Sequence, residues 1–466
     1  MSTVQDSGRV VLRGARHPGD VALEGGRITA VGDVAALAGD TVIRCDGDII
    51  TAGFVNTHHH LYQWMTRGRA DGCDLFTCLV TLYPVWGVLD ASDVGAADGC
   101  DLFTWLVTLY PVWGMLDASD VGAAARVGLA ELALSGATTV FDHHYVVPRG
   151  DDTVFDAIVE AAGAVGVRLA LSRGSMDLGE SDGGLPPDHL VEDRDAIGSS
   201  TERLAAQYHD GERVSIVVAP CSPFSVSTEL MVEAAELARR LGLRLHTHLV
   251  ETLEEQKHCL ARFGRRPVEV LEGWGWMGDD VWLAHGIHLD DAETARLGAA
   301  GVGVAHCPSS NARIAAGMCP VVGLRAAGSP VGLGVDGVAS NEVGGLFPEL
   351  RQALYTARQR ERRADALMPA DVLEMASAGG AACLGRSGEL GRLEADMAAD
   401  IAVWPADDLA DIADPLTALV LGPDRRVRHL FVGGRRVVAD GELLGLDLRA
   451  ARTELARRAA RLHDAA

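Results

Sequence analysis

The chain is short of positive charge, of paired cysteines and of any long apolar run. Against 65 Asp and Glu it carries 41 Lys and Arg, a formal net charge of −24. That balance argues against a nucleic-acid groove or an anionic membrane surface as a partner. Its nine cysteines are scattered and odd in number, with no CxxC pair, which argues against a disulfide framework or an all-cysteine zinc site. No stretch reads as a membrane helix. Met1 to Val11 lacks the basic flank and sustained apolar segment of a signal peptide. The expectation is a cytoplasmic protein that handles a small molecule. A length of 466 residues, 48% of them hydrophobic, suits a large core. One barrel of about 250 residues or more plus an accessory layer would use that length.

Both ends of the chain read as β structure. Near the start, Val10–Leu12, Val21–Leu23, Arg27–Val31 and Thr41–Ile43 are short apolar runs, with Gly25-Gly26 as a hairpin turn. Near the end, Asp400–Trp404, Val427–Val432 and Arg436–Val438 repeat the pattern around Gly433-Gly434. Residues 1–51 and 393–447 are therefore expected to form one composite β-sandwich, followed by a polar helix within 448–466. Between them, over 52–392, short apolar strands alternate with helical patterns, the signature of βα units. Ile50–Thr57, Thr138–Phe141, Arg168–Leu171, Val214–Ala219, Arg244–Leu249, Val281–His285, Gly303–His306 and Val331–Val335 make eight candidate strands. The fold class predicted is α/β, a (β/α)8 TIM barrel with its active site at the C-terminal strand ends.

Residues 71–97 and 98–124 are near-verbatim tandem copies that differ only at Cys78/Trp105 and Val88/Met115. Repeat architectures normally use three or more diverged units. Two nearly identical copies read as a recent duplication or an error in the recorded sequence. The segment follows the first barrel strand and should flank the barrel mouth. The second copy is expected to hold the native place, because it runs directly into the helix 123–135.

Chemistry concentrates at the predicted strand ends. In Asn56-Thr57-His58-His59-His60, His58 and His60 share a face, which makes half of a divalent metal site, most naturally zinc. Leu245-His246-Thr247-His248-Leu249-Val250-Glu251 adds His248 as a third imidazole and Glu251 as a proton carrier. His246, on the same face, reads more readily as a buried core histidine. His285 ends another strand, where a base or a further metal ligand would sit. Asp336 ends the last, although an Asp before Gly is often only a turn former. Gln63, five residues after His58, is placed to face a bound ring, and His144 ends the second strand where it could touch substrate.

These motifs resemble the amidohydrolase superfamily. AGFVNTHHHLYQ, THLVET, LAHGIHL, HCPSSN and GVDGVASNE look like its nucleobase deaminase and triazine hydrolase branch. LFTWLVTLYPVW, FDHHY and APCSPFSVS are most similar to the 8-oxoguanine deaminase family within it. The resemblance covers nearly the whole chain, and only the duplicated segment departs from it. It implies one zinc per chain, bound by His58, His60, His248 and Asp336, a set that iron(II) also suits. It implies that Asp336 and His285 deprotonate and orient a water, and that Glu251 carries a proton to the ring and assists departure of ammonia. The expected reaction is 8-oxoguanine to urate plus ammonia, and the expected assembly is a homo-oligomer. In guanine deaminases an arginine precedes the matching Phe-Ser. Here Pro223 stands before Phe224-Ser225, which argues against plain guanine. The rivals are another heterocycle (isoxanthopterin, a pyrimidine, a triazine), a variant inactivated by the duplication, or a non-catalytic scaffold. The last is disfavoured because all the candidate ligands are present.

Overall fold

A computed structural model describes residues 8–68, 109–110, 112–184 and 186–465. The first copy of the duplicated segment, and the start of the second, lie outside the described residues. The described part of the second copy contributes apolar side chains to the core. Leu109, Tyr110, Val112, Trp113 and Leu116 are buried, and they lead into the helix Ala118–Leu134. Asp117 caps that helix, its carboxylate accepting from the Asp120 N–H at 2.8 Å.

Two sheets form the sandwich. One is built from β1 (Val10–Arg13), β2 (Asp20–Glu24), β3 (Arg27–Gly32) and β4 (Thr41–Arg44), in the order β3-β2-β1-β4. The other joins β5 (Ile49–Ala52) to strands from the far end of the chain, β16 (Ile401–Trp404), β17 (His429–Val432), β18 (Arg435–Ala439) and β19 (Glu442–Leu443). Val10, Leu12, Val21, Leu23, Ile28, Ile50, Ile401, Val403 and Phe431 share one core between them. Gly25, Gly26, Gly433 and Gly434 all have positive φ. A type I′ two-residue hairpin turn requires that conformation at both central positions, and glycine takes it at no steric cost.

The barrel closes through β6 (Phe54–Asn56), β8 (Ala137–Asp142), β9 (Arg168–Ser175), β10 (Val214–Pro220), β11 (Arg244–Leu249), β12 (Val281–His285), β13 (Gly303–His306) and β14 (Val331–Leu333). Each strand lies parallel to the next in chain order. Leu333 pairs with Asn56 to complete the ring. Between β6 and the first helix, β7 (His59–His60) pairs with β15 (Asp336–Gly337). One expectation is corrected here. Ile50–Thr57 is not a single barrel strand. Hydropathy marks no break at Gly53, yet the run divides there, with Ile49–Ala52 bound antiparallel to β16 and Phe54–Asn56 entering the barrel.

A buried ion pair joins barrel to sandwich. Arg168 donates to Asp400 through Nε at 3.0 Å and through its second terminal nitrogen at 3.1 Å. Asp400 also accepts from the Gly433 N–H at 2.7 Å. Removing one partner strands the other charge where water cannot reach it. Arg168→Met should therefore destabilise the protein by about 3–5 kcal/mol in urea unfolding, whereas removing both charges together should cost less.

Candidate active site

The C-terminal ends of the barrel strands carry the cluster of imidazoles and carboxylates. Three backbone positions there are held at positive φ by residues that avoid it: Val250 (56°), His285 (72°) and Asp336 (64°). Strain of this kind collects where side-chain direction matters more than local comfort.

Hydrogen bonds to carbonyl oxygens fix the ring tautomers, because a carbonyl can only accept. His60 Nδ1 donates to the His143 carbonyl at 2.8 Å, and His248 Nδ1 to the Cys221 carbonyl at 2.7 Å. Both Nε2 atoms therefore present lone pairs, and they stand 3.2 Å from each other. Two lone pairs at that distance do not form a hydrogen bond. Asp336 Oδ1 lies 3.3 Å from His58 Nε2 and 3.2 Å from His60 Nε2. Donors on a tetrahedral zinc at 2.0–2.1 Å stand about 3.3 Å apart, so these separations suit a shared cation. The ring nitrogens of His58, His60, His143 and His248 lie within 4.8 Å of one another, as do the ligand atoms of His58, His285 and Asp336. Asp336 is buried, with Oδ1 turned to the His58 and His60 imidazoles. The Ser310 hydroxyl donates to its other oxygen, Oδ2, at 2.6 Å.

Beside this set lies an acid–base pair. His285 Nε2 is 3.6 Å from Glu251 Oε1, and His285 Nδ1 donates to Asn311 Oδ1 at 3.0 Å. Burial raises the Glu251 carboxyl above its ordinary range. Burial alone would lower His285, but Glu251 and Asp336 raise it. Both shifts favour the protonated forms of the pair. Glu255 positions it from below, accepting the Val250 N–H at 2.9 Å and the Glu251 N–H at 3.2 Å.

Gln63 is buried, and its Oε1 accepts the Ala339 N–H at 3.3 Å, which leaves Nε2 as a donor. A Cβ at residue 337 would fall 1.7 Å from that Oε1, so glycine is required there. His144 is not brought to the cluster. Its ring packs on Phe155 and Tyr62, at centroid distances of 5.4 and 5.3 Å. Its neighbours take that place. His143 stacks on His248 at 4.7 Å, and Tyr145 lies edge-on to His60 at 5.2 Å. Strand β8 ends at Asp142, so strand alternation could not say which histidine turns inward. Ser310, Asn311 and Glu255 belong to the site without a matching sequence expectation, and His246 is both buried and bonded to His58. Ser310 and Asn311 lie in the HCPSSN motif, where three polar residues after a proline are the signal.

Asp142 anchors the turn after His60 by accepting the Leu61 N–H at 2.8 Å. Burial pushes its carboxyl up to about 7. Between the ordinary value of 3.8 and about 7, the folded state therefore holds a proton that the unfolded state releases. The contribution is fully present below pH 3.8 and is lost as pH rises through about 7. Asp142→Asn, which keeps the acceptor, should flatten the fall in unfolding free energy across that window, as measured by urea titration at pH 5 and pH 8.

Residues 49–437 match the amidohydrolase family. The chain belongs to the amidohydrolase family. This amidohydrolase is 46% identical over 409 residues to the 8-oxoguanine deaminase of Pseudomonas aeruginosa, covering 86% of this chain and 85% of the relative. It is 37% identical to an isoxanthopterin deaminase from an unknown prokaryotic organism, covering 93% and 90% of the two chains. Among solved structures, an atrazine chlorohydrolase of Arthrobacter aurescens TC1 complexed with zinc superposes with a TM-score of 0.85. That match has 30% identity and covers 97% of this chain and all of the other. The expected barrel, sandwich and family are thus all found, and the amidohydrolase is a metal-dependent hydrolase of C–N bonds. No helix among the described residues is long and apolar enough to cross a membrane.

Proposed function

We propose that this amidohydrolase is a zinc-dependent deaminase of an oxidised purine, converting 8-oxoguanine and water to urate and ammonia. The observation that carries this reading is the convergence of imidazole lone pairs and Asp336 beside the Glu251–His285 pair. The similarity to 8-oxoguanine deaminase supports the choice of ring. His58, His60, His248 and Asp336 hold the metal. Bound there, zinc acts as a Lewis acid that lowers the pKa of water towards neutrality.

The protein's own groups supply the rest. The Asp336 carboxylate accepts the proton that water loses as its oxygen adds to ring carbon C2. Ser310 restrains the carboxylate so that one oxygen serves this role. His285, held by Asn311, orients the water. Glu251 delivers a proton to the ring nitrogen next to C2. Asp336 then passes its proton to the exocyclic nitrogen, the bond from C2 to that nitrogen breaks and ammonia leaves, while Glu251 takes back a proton from the C2 hydroxyl as the new carbonyl forms. Gln63 offers its Nε2 hydrogens to a ring carbonyl. Tyr62 and Tyr145 form an aromatic wall beside His60.

The test is ammonia release by purified, zinc-loaded protein given 8-oxoguanine, isoxanthopterin or guanine. Turnover is expected with 8-oxoguanine, with urate as the product. Preference for isoxanthopterin would keep the chemistry and move the substrate. No ammonia from any ring, with zinc bound stoichiometrically, would overturn the reading.

A further inference from the structure

His246 lies behind the donor set, one full strand period before His248, and its partners are completely specified. Its Nδ1 is 2.9 Å from the Trp282 carbonyl. Its Nε2 is 3.0 Å from His58 Nδ1. The Trp282 indole N–H in turn donates to the Thr57 carbonyl at 3.1 Å, which ties the same strand end to the residue before His58. Both imidazoles are fully buried.

The logic of donors and acceptors leaves one arrangement for the neutral rings. A carbonyl accepts, so His246 Nδ1 bears the proton and its Nε2 presents a lone pair. His58 Nδ1 must then be the donor in the bond between the rings. The other nitrogen of His58, Nε2, is left unprotonated and faces Asp336 Oδ1 at 3.3 Å. His58 Nε2 has no hydrogen-bond partner among the described residues. His60 and His248 reach the same state by donating directly to main-chain carbonyls. His58 reaches it through a second imidazole.

We infer that His246 is a positioning residue that fixes the tautomer and ring direction of His58, so that His58 meets the metal with its lone pair already in place. A ring free to carry its proton on Nε2 would have to shed it or flip before binding. Outer partners of this kind typically govern metal affinity by about 10–100-fold. A histidine that merely filled core volume would be replaceable by any side chain of its size.

Three forms of the full-length chain test this: the parent, His246→Gln and His246→Met. The terminal amide of Gln can accept from His58 and donate to the Trp282 carbonyl, whereas Met fills similar space without either bond. Zinc affinity, read by competition with a chromophoric chelator, should fall by about 10–100-fold in His246→Met and by only about threefold or less in His246→Gln. Equal affinity in all three would overturn the inference, and so would equal loss in both variants. Nitrogen-15 spectra of the histidine-labelled parent, freed of metal at pH 8, need no variant. They should show His58 protonated on Nδ1, and protonation on Nε2 would refute the relay even if His246→Met failed to fold.

Discussion

Glu251→Gln is expected to leave zinc bound and to lower kcat/KM by about 10²–10⁴-fold, the usual contribution of a positioned proton carrier. The amide preserves size and can still contact His285, 3.6 Å from the carboxylate in the parent. What it loses is the capacity to take up and release a proton. Glu255 should continue to hold the backbone at residues 250 and 251, because its two bonds are to main-chain N–H groups. The loss should therefore appear in kcat, with zinc content by metal analysis at the parental level. Parental kcat in this variant would remove Glu251 from the reaction.

The second large effect is expected from Asp336→Asn. Asp336 is the only carboxylate set against both His58 and His60 among the described residues. It is also held by Ser310 at 2.6 Å and by the Gly337 N–H at 2.8 Å, so its direction is fixed before any metal arrives. The substitution withdraws a negative charge from the donor set and removes the proposed acceptor of water's proton. Zinc affinity should fall by more than the roughly 10–100-fold that loss of an outer partner costs. Activity should stay low even when excess zinc restores occupancy. That separates the variant from His246→Met, whose defect excess metal should largely repair. Full activity at saturating zinc would assign the proton to another group.

Much of this was legible in the residues because it depends on short-range rules. His58 and His60 share a face because strand side chains alternate, and His248, His285 and Asp336 stand where apolar runs stop. The eight parallel strands follow from the same alternation of short runs with helical segments. The misreadings also have physical causes. The run from Ile49 to Asn56 is apolar on both sides of Gly53, so hydropathy had no mark for the change of sheet. His143 and His144 follow the end of β8, where alternation no longer governs direction. His246 could be called core or site, and it is both buried and bonded to a proposed ligand. Glu255 acts on backbone N–H groups four and five residues earlier, a contact made by the turn after β11, which no residue pattern announces.

The passage from sandwich to barrel has a consequence for modularity. Ile49–Ala52 is a rung of one sheet, Phe54–Asn56 a stave of the other, and one residue separates them. That junction has no slack. A sliding or fraying of the first sheet would pull directly on the strand that leads into His58 and His60. Zinc release and melting of the sandwich should thus coincide in a single cooperative transition. Exchange of the sandwich between related barrels would succeed only with donors that deliver residue 52 in the same register.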